Sequence, residues 1–157
     1  MSTPVIRVID CHVACLDERG ERMWLLLRRA AGKAYAGDWR MVGGKIADEE
    51  PAWFAALREL REETALQVLE FFTVPYVNQF YEWQHDRLNA IPVFVAVVAH
   101  TEPELDAEHA EFGWFTTEEA LKRLPWPAQR QGLAAASQLL DGPHPSMRDH
   151  MRIDVQA

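Results

Sequence analysis

Apolar runs separated by polar turns extend along most of this chain, and their spacing predicts both strands and helices. Runs rich in β-branched and aromatic residues predict strands at residues 5–16, 23–29, 39–42, 66–83, 88–99 and 111–115. Runs with helical spacing predict one helix after Pro51 and two more at residues 118–123 and 128–140. This order of elements predicts an α/β fold in which helices cover both faces of a mixed β-sheet.

Two of the predicted strands have distinctive patterns. The strand at 88–99 is almost continuously apolar, which predicts burial on both faces. The strand at 66–83 carries six aromatic residues that we expect to lie mostly in the core: Phe71, Phe72, Tyr76, Phe80, Tyr81 and Trp83. The same strand contains Asn78 and Gln79, which are candidates to contact a base or sugar, since a strand interior seldom carries amides without partners.

Length and composition predict one globular domain over residues 1–157, in which the aperiodic stretch from about 141 to 157 forms a weakly ordered tail. The net charge of −8 argues against a nucleic-acid partner, because no stripe of Lys and Arg is present to neutralise phosphates. An acidic protein can still bind a nucleotide whose phosphates reach it through metal ions.

Cys11 and Cys15 lie in an apolar run without a second Cys or His pair, which favours two buried, reduced thiols over a zinc site. The N-terminal residues do not resemble a signal peptide, and no apolar run approaches the 18 or so residues of a membrane span. We therefore expect a cytoplasmic protein without a membrane partner.

The helix after Pro51 carries an unusual density of carboxylates. Glu59, Glu62 and Glu63 fall within a sector of roughly 100° on one side of it. Four residues of the opposite side are predicted to face the core: Trp53, Leu57, Leu60 and Thr64. Like charges three and four residues apart destabilise a bare helix, and divalent cations that prefer oxygen ligands would remove that cost.

The order of residues around this helix resembles the Nudix box, G-x5-E-x7-R-E-U-x-E-E-x-G-U, in which U is a large apolar residue. The matching positions are Gly44, Glu50, Arg58, Glu59, Leu60, Glu62, Glu63 and Leu66. Ala65 stands where the family has Gly, at a position that normally takes a positive φ, so the local turn is in question while every carboxylate is kept.

The resemblance implies a Nudix-type α/β/α sandwich with a mixed β-sheet and a loop-helix-loop catalytic box at residues 44–66. It also implies a hydrolase that cleaves phosphoanhydride bonds with Mg²⁺, for which Mn²⁺ can substitute. By carry-over from the family, Glu62 and Glu63 are metal ligands, and Glu59 is either a further ligand or the general base.

The resemblance gives roles to other box residues as well. Arg58 would orient Glu59, and Glu50 would pair with Arg58 or support the metal shell. The carbonyl group of Gly43 would be a metal ligand, the backbone at Gly44 would approach the ligand closely, and Lys45 would reach the phosphates.

Residues outside the box complete the expected site. A further metal-binding carboxylate is expected from Glu108, with Glu111 as the alternative. Arg28 and Arg29 end the strand at 23–29, where they either lie in solvent or pair with a substrate phosphate.

The segments 108–114 and 126–130 look like those of family members that act on nucleoside triphosphates or dihydroneopterin triphosphate. We therefore expect a small nucleotide substrate cleaved to a monophosphate and pyrophosphate. Hydrolysis of ADP-ribose, dinucleoside polyphosphates or nucleotide sugars is an alternative, and a non-catalytic nucleotide sensor is another. The resemblance also allows a homodimer.

Overall fold

The computed structural model describes residues 3–155, in which the chain forms seven strands and four α-helices. The strands are β1 (Val8–Leu16), β2 (Arg22–Arg29), β3 (Trp39–Arg40), β4 (Val42–Lys45), β5 (Val68–Glu82), β6 (Arg87–Val98) and β7 (His109–Thr116). The helices are α1 (Ala52–Thr64), α2 (Thr117–Arg123), α3 (Pro127–Asp141) and α4 (Pro145–Met151). No helix within residues 3–155 has the length and apolar character needed to cross a membrane.

All seven strands belong to one mixed sheet, in which β1 and β6 are parallel and the other pairs are antiparallel. The β1–β2 hairpin is paired only over residues 13–16 of β1, and the two strands then take different partners. The first half of β1 pairs with β4, while the end of β2 pairs with β3. This arrangement sets Gly43 beside Asp10 and Gly44 beside Ile9.

Helices cover both faces of the sheet, which confirms the predicted α/β/α sandwich. Alternate residues of β1 point to opposite faces. The face under α1 buries Cys11, Val13, Cys15, Ala55, Ala56 and Leu60, among others. The face under α2 and α3 buries Ala14, Trp24, Leu133, Ala136 and Leu139, among others. Both cysteines are free and buried, as expected.

The aromatic residues of β5 and of the turn that follows it are less buried than the sequence predicts. Phe71 and Phe72 are fully buried, but Phe80, Tyr81 and Trp83 are 49%, 57% and 75% exposed. The end of the β5–β6 hairpin is largely exposed, since residues 79–81 and 83–86 are all accessible to solvent. The expectation that most of these rings belong to the core is therefore wrong for the hairpin end.

The C-terminal stretch also differs from the predicted tail. Residues 145–151 form α4, and the chain then returns to the outer edge of β5, where the Ile153 N–H donates to the carbonyl oxygen of Phe71 at 2.8 Å. The Arg152 guanidinium lies 4.9 Å from the centre of the Phe72 ring. Tertiary contacts, rather than a periodic apolar pattern, order this stretch. Residues 156 and 157 of the predicted tail lie outside the described residues.

Candidate active site

The loop between β4 and α1 is held by a two-point ion pair between Arg58 and Glu50. Arg58 donates from Nε to Glu50 Oε2 at 2.8 Å and from Nη2 to Glu50 Oε1 at 2.9 Å. Nη2 also donates to the carbonyl oxygen of Lys45 at 2.9 Å, and Glu50 accepts the Ala47 N–H at 3.0 Å. Hydrogen bonds from Arg58, and next from the Ala47 N–H, lower the pKa of Glu50 to about 2. Of the two predicted roles for Glu50, the structure shows the pairing with Arg58.

The same guanidinium group reaches two carboxylates of α1. Arg58 Nη1 lies 3.0 Å from Glu59 Oε1 and 3.3 Å from Glu62 Oε2. One cation therefore partly neutralises the crowded acidic side of the helix and sets the direction of the Glu59 side chain.

Ala65 adopts the backbone conformation that the family's glycine would take. Its φ and ψ are 58° and 15°, and its N–H donates to the carbonyl oxygen of Arg61 at 2.9 Å. The left-handed turn that ends α1 is therefore kept despite the Cβ of alanine.

The buried side of α1 is rotated from the side that the sequence predicts. Leu60 and Thr64 are buried as expected, but Trp53 is 40% exposed and Glu63 is only 3% exposed. The buried stripe also contains Ala55 and Ala56, whose small side chains let the helix lie close to the sheet. As a result one of the three glutamates faces the protein interior instead of solvent.

Burial of Glu63 has a large electrostatic effect. Loss of solvent contact, followed by the proximity of Glu59 and the charge of Asp106, raises the pKa of Glu63 to about 9 against an opposing effect of Arg40. Its Oε2 atom is buried and has no hydrogen-bond partner among the described residues. A carboxylate in this environment is stabilised by a nearby cation.

The carboxylates fit a divalent metal ion by their chemistry, although they do not form a closed cluster. Within residues 3–155, no three His, Cys, Asp or Glu side chains converge as a metal-binding group. Arg58 draws Glu59 and Glu62 towards itself, and the side chain of Glu62 is 53% exposed and so has room to turn. The unpartnered Glu63 Oε2 beside Glu59 is the feature that a hard cation would satisfy.

A cleft of about 960 Å³ opens beside these carboxylates. Nine of the predicted site residues line it: Arg29, Gly43, Gly44, Lys45, Glu59, Glu62, Asn78, Gln79 and Glu108. Five do not: Arg28, Glu50, Arg58, Glu63 and Glu111. Glu50 and Arg58 lie behind the lining residues and hold them, whereas Arg28 and Glu111 lie elsewhere.

Of the two candidate acids outside the box, Glu108 lies in the cleft and Glu111 does not. Glu108 lines the cleft and lies 3.5 Å from Arg29 Nη1. Glu111 pairs with Arg28 at 2.7 Å, with both side chains about half exposed and neither lining the cleft. The pairing of β2 with β7 sets Arg28 opposite Glu111, which explains this ion pair.

Several cleft residues escaped the sequence analysis, and Asp10 is the most informative. Asp10 is 5% exposed and accepts a hydrogen bond from Asn78 Nδ2 at 3.2 Å. Burial raises the pKa of Asp10 to about 6, against the lowering effects of the Asn78 hydrogen bond and the Arg40 charge. The sequence signal was an acid, followed two residues later by His12, inside an apolar strand.

Aromatic side chains line part of the cleft. Tyr35 and Trp126 meet edge to face with their ring centroids 5.8 Å apart, and both line the cleft together with Phe80. Arg40 and Gln129 also line it. The cleft is thus lined by acids of the box and also by rings and amides.

Comparison with known proteins places this geometry in a family. The model of the NUDIX domain matches residues 7–136. The chain is also 33% identical over 144 residues to an octanoyltransferase of Myxococcus xanthus. That match covers 85% of this chain, but the chain spans only 37% of the length of that relative.

Solved structures show the same fold at low sequence identity. An Ap4A hydrolase of C. elegans, in a binary complex, has a TM-score of 0.72 at 19% identity, covering 88% of this chain and 99% of that one. The NUDIX domain of Shewanella oneidensis NrtR, complexed with ADP ribose, has a TM-score of 0.70 at 17% identity, covering 89% and 90%. The dihydroneopterin triphosphate pyrophosphohydrolase of E. coli has a TM-score of 0.65 at 19% identity, covering 82% and 91%.

Proposed function

The chain belongs to the Nudix family of hydrolases that act on nucleotide-like substrates, and we propose that it cleaves a nucleoside or pterin triphosphate to the monophosphate and pyrophosphate. The observation that carries this proposal is that one cleft is lined both by carboxylates of the box and by aromatic rings. A triphosphate linked to a planar ring has the same two-part character. The cleft volume of about 960 Å³ is in the range of small-molecule sites.

Basic and aromatic side chains of the cleft support the binding of such a substrate. Lys45, Arg29 and Arg40 line the cleft and can pair with phosphate oxygens. Tyr35 and Trp126 also line the cleft and offer aromatic faces and edges on which a ring can stack, while Asn78 and Asp10 offer polar atoms.

Glu59, Glu62, Glu63, Glu108 and the carbonyl group of Gly43 are the groups that would hold Mg²⁺ or Mn²⁺. When bound, the metal supplies Lewis-acid stabilisation of phosphate charge and lowers the pKa of a coordinated water molecule. Arg58 holds Glu59 through Nη1 and, with Glu50, fixes the loop that carries Lys45. Glu59 is either a further ligand or the base that takes a proton from the attacking water.

A Glu62→Gln variant, with Glu118→Gln as its control, tests the catalytic assignment. Glu118 is an exposed acid of α2 that pairs with Lys122 at 3.4 Å. We expect Glu62→Gln to lower Mg²⁺-dependent turnover about 100-fold or more while the far-UV and near-UV circular dichroism spectra stay unchanged. Glu118→Gln should retain full activity. Unchanged turnover in Glu62→Gln would remove this residue from the metal site.

A panel of substrates with analysis of the products tests the substrate class. We expect release of pyrophosphate from one or more of the dNTPs, NTPs and dihydroneopterin triphosphate, dependent on Mg²⁺ and abolished by a chelator. Cleavage of ADP-ribose, diadenosine tetraphosphate or a nucleotide sugar, without release of pyrophosphate from any triphosphate, would contradict the proposal. Nucleotide binding without any turnover would indicate a sensor instead.

A further inference from the structure

A buried histidine connects the helix of the box to the loop before β7. His109 Nε2 lies 3.6 Å from Glu63 Oε1, and His109 Nδ1 lies 2.8 Å from Asp106 Oδ1. The side chains of His109 and Glu63 are only 3% and 4% exposed. Three side chains from two distant parts of the sequence therefore meet where the Glu63 carboxylate is shielded from water.

Asp106 determines which edge of the imidazole ring faces the box. It accepts from the Glu108 N–H at 3.2 Å through Oδ1, the same atom that lies against His109 Nδ1. These contacts form a tight turn at residues 106–109, and β7 begins at its last residue. With Nδ1 directed to Asp106, the Nε2 edge of the ring is left facing Glu63.

The two oxygen atoms of Glu63 consequently have different surroundings. Oε1 faces His109, whereas Oε2 is buried without a partner among residues 3–155. A carboxylate that binds a metal through one oxygen is commonly held by a neighbouring group through the other. The same turn carries Glu108 and Asp106, both of which line the cleft.

We propose that His109 is a positioning residue, whose Nε2 edge lies against Glu63 Oε1 at 3.6 Å and confines the carboxylate so that Oε2 is set to bind the metal ion. This inference rests on the proposed function, since it assumes that Glu63 is a metal ligand. Through Asp106 the same contact ties the 106–109 turn, and with it Glu108, to α1. His109 acts only through these acids and does not touch the substrate.

Mn²⁺ binding to the protein without substrate, measured by electron paramagnetic resonance, tests this role separately from turnover. We expect His109→Leu, which keeps an apolar side chain in the buried site, to bind Mn²⁺ about 10- to 100-fold more weakly. His109→Gln offers Glu63 a polar group again and should recover most of the affinity. His100→Leu is the control, because His100 packs on Trp114 and bonds Glu18, outside the cleft.

Three outcomes would overturn the inference in distinguishable ways. Wild-type Mn²⁺ affinity in His109→Leu would show that the histidine is a core residue only, even if the variant is less stable. Absence of Mn²⁺ binding to the wild-type protein would contradict the proposed function as well. If His109→Leu does not fold, Asp106→Asn replaces it, since this change leaves the imidazole buried but weakens its anchor. We expect Asp106→Asn to lower the affinity severalfold, and an unchanged affinity would also overturn the inference.

Discussion

The carboxylate of Glu59 occupies the space that a side chain at position 44 would need. A Cβ atom built on Gly44 would lie 2.2 Å from Glu59 Cδ and 2.4 Å from Glu59 Oε1. The backbone of Gly44 has no positive φ among the described torsions, so the requirement for glycine comes from this close approach and not from the turn. The absence of a side chain at Gly44 thus allows the Glu59 carboxylate of α1 to pack against the backbone of β4.

Gly44→Ala should therefore impair activity far more than stability. The new methyl group displaces only the far end of a flexible side chain, so the fold has a simple way to adjust. Displacement by about 1 Å is enough to lower kcat about 100-fold when the moved group belongs to the reacting site. Steady-state kinetics and thermal unfolding of the same preparation measure the two effects.

Gly20→Ala is a control that should lower stability without lowering activity. Gly20 has a φ of 78° and open space around it in the turn between β1 and β2. An alanine there should cost about 1 kcal/mol of stability and leave kcat/KM unchanged. Gly44→Ala with full activity would show that Glu59 does not need its present position.

Arg58→Lys should lower kcat without unfolding the protein. Lysine cannot make the two-point pair with Glu50 and also reach Glu59 and the Lys45 carbonyl group, because it lacks the planar fork of arginine. We expect a loss of about 100-fold in kcat. Arg22→Lys is a matched control, because Arg22 makes a similar two-point pair with Asp141 at 2.9 Å, away from the cleft. Equal kinetic effects of the two variants would contradict the role given to Arg58.

Sequence reasoning identified the box and the order of elements because both depend on local signals. The spacing of Gly44, Glu50, Arg58 and the later glutamates is fixed by one loop and one helix, and the structure brings these residues together. Alternation and apolar runs predicted most strands within a few residues of their observed limits, but the strand predicted at 39–42 is divided into β3 and β4. The sheet could therefore be predicted as mixed before the pairing of any two strands was known.

The missed features depend on contacts that no local pattern contains. Asp10 belongs to the cleft because the β1–β2 hairpin splays and admits β4 beside it. Glu63 is buried because Ala55 and Ala56 set the rotation of α1 against the sheet, which helical spacing alone did not reveal.

Ala65→Gly should stabilise the protein. Ala65 has a φ of 58°, a conformation that an L residue with a side chain adopts at a cost and glycine adopts freely. We expect an increase of about 1 kcal/mol in the free energy of unfolding, measured by chemical denaturation. Ala134→Gly, at an exposed position within α3, should have the opposite effect of similar size. A destabilised Ala65→Gly would mean that the methyl group contributes packing that exceeds the backbone strain.

Asp10→Asn should remove a fall in stability that the wild-type protein shows as pH rises, because the pKa of Asp10 is raised in the folded protein. The pKa of Asp10 is raised from an ordinary value of 3.8 to about 6, so between these pH values the folded protein binds a proton that the unfolded chain has released. Stability then falls as pH rises through this window, because the folded state must ionise a buried carboxyl group. Well below pH 3.8 the group is neutral in both states and contributes no such cost.

The asparagine variant cannot ionise at position 10, so its free energy of unfolding should not fall for this reason as pH rises. The difference between pKa values of 3.8 and about 6 corresponds to about 3 kcal/mol, and the wild-type protein should lose about that much relative to Asp10→Asn between about pH 3 and pH 7. Denaturant unfolding of both proteins at several pH values measures the difference. A wild-type protein that instead gains stability over Asp10→Asn as pH rises would mean that the carboxylate, and not the acid, is the form that the site favours. In that case Arg40, whose charge already lowers the Asp10 pKa, would outweigh burial at this end of the cleft.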